Sequence, residues 1–212
     1  TSIMLASVST NILYKDLTIL AFLYLFLHII TFQALFGYFR VINLMPMAQK
    51  TSNQFTPGGF IKVMSFLHLG IATTPVILAI LFYFNAEDPE LSTSDTNDIF
   101  LAIVPVVALA SIFLGDFIFK KILKSVSQKD GLREKLTKFQ TASIIKYALL
   151  EGASLFSIVI FSNTQNLTYL IIGVVLIGYL YLQRPTKPKI ESTLDLKGAE
   201  KAKFDRTHEP VD

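Results

Sequence analysis

The chain has 212 residues, of which 52% are apolar and only 17% charged, against about 25% charged in ordinary soluble domains; its mean hydropathy is +0.52. It contains no cysteine, which excludes a disulfide framework, a thiolate zinc site, a cysteine-ligated iron–sulfur cluster and a cysteine nucleophile. The net charge is +3, and the basic residues flank apolar blocks, as the positive-inside bias produces, rather than forming a phosphate-binding face. Nucleic acid is therefore not an expected partner.

A membrane-spanning helix needs about 20 mostly apolar residues to cross roughly 30 Å of hydrocarbon. Five blocks approach this in chain order: Leu17–Val41, Ile61–Phe84, Ile99–Phe119, Ala142–Phe161 and Leu167–Leu182. The last is short, but the tight turn at Ser162–Asn166 and tyrosines at 169, 179 and 181 support a span. The expected fold is an all-α, polytopic membrane bundle. Residues 47–194 form a four-helix membrane domain, residues 1–46 an N-terminal segment with an additional helix at 17–41, and residues 195–212 a disordered charged tail.

Charge sets the expected orientation. Asn85–Asp98 carries Glu87, Asp88, Glu90, Asp95 and Asp98 with no Lys or Arg, whereas Lys120–Gln140 carries seven basic residues against Asp130 and Glu134. Arg184, Lys187 and Lys189 follow the last span. Positive-inside logic puts the basic loop and the C-terminus in the cytoplasm and the acidic loop outside. The expected location is the inner membrane of a bacterial cell. The block at 17–41 admits three readings: a fifth span with Arg40, Lys50 and Lys62 inside, an uncleaved signal anchor, or sequence upstream of a start at Met45 or Met47.

Asp98–Asp116 can be laid without gaps on Asn166–Arg184, and Gly70-Ile-Ala-Thr on Glu151-Gly-Ala-Ser. Two parallel hairpin repeats would produce this, and so would shared hydrophobicity. Within the basic loop, Leu132, Leu136 and Phe139 recur at helical spacing. They fit either a helix lying on an anionic membrane surface or an extension of a neighbouring core helix.

Ionisable residues inside a span are costly and are the natural functional candidates. Asp116 lies four residues before Lys120, which fits a surface ion pair, and Lys146 can snorkel to the interface. Glu151 lies deeper, with Ser143, Tyr147 and Ser154 on its helical face. His68, on the first core helix, is expected at a similar depth and facing it. A His68–Glu151 pair would serve as a structural polar clamp, or as a proton or cation site. Pro75 and Pro105 fall within spans and can bend them. Ser111 and Gly115 form a small-xxx-small pair suited to close helix packing. Asn166-Leu-Thr168 matches a glycosylation sequon, an accidental one beside the membrane. A nucleophile elbow, an HExxH motif and a phosphate loop are absent, and no metal site or cofactor is expected.

From Ile144 the sequence IIKYALLEGASLFSIVIFSNTQNLTYLIIGVVLIGYLYLQRPTKPKIESTLDL resembles uncharacterised small four-helix membrane proteins of Bacteroidota. The shared features are ALLEG, a short turn before the last helix, and RPTK after it. The resemblance covers about Met47–Leu196 and implies a fold and no activity. Separately, Ala148–Val159 is similar to the carboxylate helix of rotary ATPase ring (c-type) subunits. It departs from that family in lacking a glycine-ladder helix and the short Arg–Pro loop. The function expected is non-enzymatic, a structural or accessory membrane subunit. The alternative is a small proton- or cation-coupled channel or transporter using Glu151. Expected partners are the lipid bilayer and either a larger membrane complex or a homo-oligomer.

Overall fold

Thr56 and Pro57 begin the first described helix by local chemistry. The Thr56 hydroxyl accepts the Gly59 amide at 3.1 Å, and Pro57 occupies the first helical position, where its missing N–H costs nothing. In the computed structural model, residues 55–94, 98–127 and 130–211 are described. They form α1 (Pro57–Phe84), α2 (Phe100–Lys124), α3 (Leu132–Thr164), α4 (Leu167–Leu182), α5 (Lys187–Thr193) and α6 (Gly198–Asp205). The expected helix at 17–41 lies outside the described residues. Among those described, the sole β feature is an isolated parallel bridge between Glu90 and Asn166.

Three helices, α1, α2 and α3, are long and apolar enough to cross a membrane. α4 has 16 residues, about 24 Å at 1.5 Å per residue, and the chain then turns by 80° into α5. α1 and α2 run unbroken through Pro75 and Pro105.

α3 is the centre. Its most apolar window is 67% buried, whereas those of α1 and α2 are 22% buried. α1, α2 and α4 all pack on α3; α1 and α2 each also touch α4 and share no extensive face with one another. The two hairpins suggested by the sequence matches are therefore not packed alike: α3 and α4 lie along one another, and α1 and α2 do not. Close approach is built from small residues. A Cβ on Gly173 would sit 2.9 Å from Ile158 Cγ1, so only glycine allows this α3–α4 spacing. On α2 the buried stripe is Val104, Ala108, Ser111 and Gly115, which places the expected packing pair on the face turned to α3.

The end bearing the acidic loop is closed by backbone pairing. Gln165 takes a left-handed conformation (φ 59°) to end α3, and Asn166 caps α4 by accepting the Thr168 amide. The Asn166 amide also donates to the Ser92 carbonyl at 2.8 Å, and Tyr169 hydrogen-bonds Asp98. Asn166 is buried and engaged, so the Asn-Leu-Thr sequence has a structural explanation.

The opposite, basic end differs from expectation. The connection expected at 120–140 shrinks to 125–131, because α2 continues through Lys124 and α3 starts at Leu132. Of the two readings of Leu132, Leu136 and Phe139, the structure takes the helix extension. All three are buried, in one cluster with Phe60, Met64, Ile190 and Phe204. The tail expected to be disordered is what covers them. Leu194, Leu196, Phe204 and Val211 are all buried, and ion pairs Lys135–Glu200 (2.7 Å), Lys187–Asp205 (2.8 Å) and Lys201–Glu191 fasten the segment. The Val211 amide reaches the Phe55 carbonyl at 2.8 Å, and Gly58 reaches Thr207 at 2.9 Å. Its mixed charges are one face of an amphipathic strap rather than the mark of a solvated coil.

Phe204 is fully buried, and truncating such a ring typically costs about 3–5 kcal/mol. Phe204→Ala should loosen the tail by roughly that amount, and limited proteolysis should then cleave between residues 195 and 211. An unchanged digestion pattern would show that Phe204 does not hold the strap.

Candidate functional site

Where α4 ends, the Leu180 and Tyr181 carbonyls accept the Gln183 and Arg184 amides at 2.9 and 3.2 Å, whereas the carbonyls of Leu182 and Gln183 lie past the last helical N–H. Side chains from three other helices reach this end. His68 Nε2 lies 2.8 Å from the Leu180 carbonyl; since a carbonyl only accepts, this nitrogen carries the proton. The Tyr147 hydroxyl donates to the Gln183 carbonyl at 3.0 Å. Lys189, on α5, reaches the Leu182 carbonyl at 3.4 Å. The His68 ring packs edge-on against Tyr147, with centroids 4.9 Å apart.

Beside this cap lies an ion pair linking α2 to α3. Lys146 Nζ is 2.5 Å from Asp116 Oδ1 and 3.0 Å from Gln183 Oε1. It also sits over the rings of Phe119 and Tyr179, at 5.5 and 5.6 Å. The Tyr179 hydroxyl donates to Asp116 Oδ2 at 3.3 Å. Gly115 makes room for the lysine stem: a Cβ there would lie 3.3 Å from Lys146 Cγ. Lys189 donates to the same Gln183 Oε1 at 3.1 Å, so two ammonium groups share one amide oxygen.

The expected site residues are distributed as follows. Ser143, Tyr147, Glu151 and Ser154 are all buried on α3, and His68 is buried on α1. Tyr147 and His68 touch. The hydrogen-bond partner of His68, however, is the Leu180 carbonyl at the end of α4 rather than Glu151. Glu151 lies one turn further along α3, where its own carbonyl accepts the Ser154 hydroxyl at 2.8 Å. Asp116 pairs across helices with Lys146 and not with Lys120. Sequence reasoning used Tyr179 as an aromatic helix end and Lys189 as an orientation signal, and gave neither of them, nor Gln183, a place at a site. The available signal was positional: Gln183 is the first polar residue after an apolar run, where a helix C-terminus needs partners. Among the described residues no group of three His, Asp or Glu side chains could hold a metal ion.

Comparison with protein-family models, with curated proteins and with solved structures yields no match for the chain.

Two predictions test this junction. The Lys146 side chain is 9% exposed and that of Asp116 36%, so the pair falls between the buried and the solvent-screened regimes. Asp116→Asn should cost about 1–2 kcal/mol by leaving Lys146 without its carboxylate, and adding Lys146→Met should restore most of that. Thermal unfolding in detergent measures the cycle; strict additivity would rule out the pair as a clamp.

Burial first, and then the Lys146 ammonium, hold the Lys189 amine below its ordinary pKa of 10.5, while Asp116 pulls it upward. A depressed lysine pKa means that the charged form opposes folding. That penalty is complete below the folded-state pKa and disappears as pH rises through it towards 10.5. In non-ionic detergent, Lys189→Gln should therefore melt above the wild type at pH 7, with the gap closing towards pH 10.5. A gap independent of pH would refute this assignment.

Proposed function

We propose that the chain is a structural or accessory integral membrane protein without enzymatic activity. In this reading α4 joins α1, α2 and α3 as a fourth span in the inner membrane of a bacterial cell. The basic end and the C-terminal strap face the cytoplasm. The observation that carries it is the use made of the buried polar groups. His68, Tyr147, Lys146 and Asp116 are engaged in ending α4 and tying the helices together, as expected of a scaffold. Large apolar side chains on the outer faces support the membrane setting. Phe66, Ile77 and Phe84 on α1, Phe113 on α2 and Val175 on α4 are exposed, a distribution that lipid tolerates and water does not.

Sidedness can be tested directly, because the chain has no cysteine of its own. Leu91→Cys, in the acidic loop, should react with a membrane-impermeant maleimide in intact cells. Lys124→Cys should react only after permeabilisation. The reverse pattern would invert the topology, and labelling of both in a soluble fraction would remove the membrane reading.

The second reading, proton or cation transport, rests on Glu151, a buried carboxylate near the middle of the central helix. Reconstituted wild-type protein should show no proton flux, and Glu151→Gln should change only the melting temperature. A flux that is lost in Glu151→Gln with the fold intact would establish transport in place of the scaffold.

A further inference from the structure

Lys189 stands out among the basic residues. It is partly buried, its hydrogen-bond acceptors are the neutral Gln183 Oε1 and Leu182 carbonyl, and among the described residues it has no carboxylate within ion-pair distance. Both bonds are long enough to be exchanged for a stronger one. Its neighbour Lys146 uses the same amide oxygen and spends its charge on Asp116. The junction between the C-terminal ends of α2 and α4 thus holds two ammonium groups against one carboxylate. Exposed Arg184 directly follows Gln183, exposed Lys120 lies one turn past Asp116, and neither is ion-paired among the described residues.

The surroundings define which anion fits. Phe117 and Leu182, 63% and 75% exposed, are the sequence neighbours of Asp116 on α2 and of Gln183 at the end of α4. α5, which carries Lys189, is turned by 80° from α4. If α4 crosses the bilayer, α5 runs nearly in its plane, and Lys189 lies at headgroup depth. A soluble anion would use the charge and gain nothing from these apolar side chains. A phospholipid uses both.

We propose that this junction, formed by Lys146, Gln183, Lys189 and Arg184, binds the phosphate of an anionic phospholipid whose acyl chains lie against Phe117 and Leu182. The phosphate takes the Lys189 ammonium from its two neutral acceptors and supplies the missing negative charge. Charge-assisted bonds of this kind are roughly twice as strong as the neutral ones they replace.

The proposal rests on the membrane reading, and the test separates the two. Full-length protein in non-ionic detergent is titrated with phosphatidylglycerol, phosphatidylcholine or inorganic phosphate, and bound ligand is counted by native mass spectrometry. Wild type should retain phosphatidylglycerol over phosphatidylcholine. Lys189→Gln should weaken phosphatidylglycerol about fivefold, the typical contribution of one basic residue at an anionic surface, and Lys189→Arg should preserve it. Lys203→Gln, on α6 away from the junction, should bind as wild type does. Equal binding of the two lipids, or phosphatidylglycerol binding unchanged in Lys189→Gln, overturns the site. Inorganic phosphate that binds as well as the lipid overturns the lipid as its source. A chain that stays soluble without detergent overturns the membrane reading itself, whereas one that needs detergent and shows no Lys189 dependence overturns the headgroup site alone.

Discussion

The last turn of α4 leaves carbonyl oxygens that its own backbone cannot satisfy, and much of the bundle is arranged around supplying them. α4 has only 16 residues, and its C-terminus falls among packed helices, where a buried carbonyl left without a donor is costly. His68 from α1, Tyr147 from α3 and Lys189 from α5 converge there. Each of these bonds fixes the rotation and depth of the helix that donates it. Because α1 and α2 share no extensive face, the register of α1 is set through this cap as well as through its packing on α3.

The same economy explains the placement of the charged groups. A lysine within an apolar bundle is tolerated when paired and stacked, and Lys146 has a carboxylate, an amide oxygen and two aromatic rings around it. The central position of α3 follows from its composition. It carries serines and alanines where α1, α2 and α4 carry exposed Phe, Ile and Val, so it can be approached closely from several directions. The outer helices have one inward stripe each and leave the rest of their surface apolar.

Much of this was legible in the sequence. Apolar length and the alternation of acidic and basic connections located all four long helices, and α4 was placed at its observed bounds. Burial of Glu151, Tyr147, Ser143 and Ser154 follows from helical spacing, and that of His68 from its place inside an apolar block. The pairing of those residues did not follow, because depth along a span says nothing of rotation about it. His68 was matched in height to Glu151 but faces the end of α4. Helix ends were misjudged where hydropathy stops reporting: α3 continues ten residues before Ala142 because Leu132, Leu136 and Phe139 have a partner surface. That partner is the tail, whose scattered Leu194, Leu196, Phe204 and Val211 are too few to signal a core by composition. They contribute one only once the α3 extension offers the other half.

The bond between the Val211 amide and the Phe55 carbonyl joins the two extremes of the described bundle. A contact between residues so distant in sequence carries a large ordering cost and forms after the shorter-range ones. α1, α2, α3 and α4 can all form and pack while the basic-end layer is still open, and that layer closes only when residues 204–211 have been synthesised and have found α1. Maturation of the fold therefore has two stages with different clocks. The first is set by the packing of the long apolar helices, and the second by the search of a short segment for a surface that already exists.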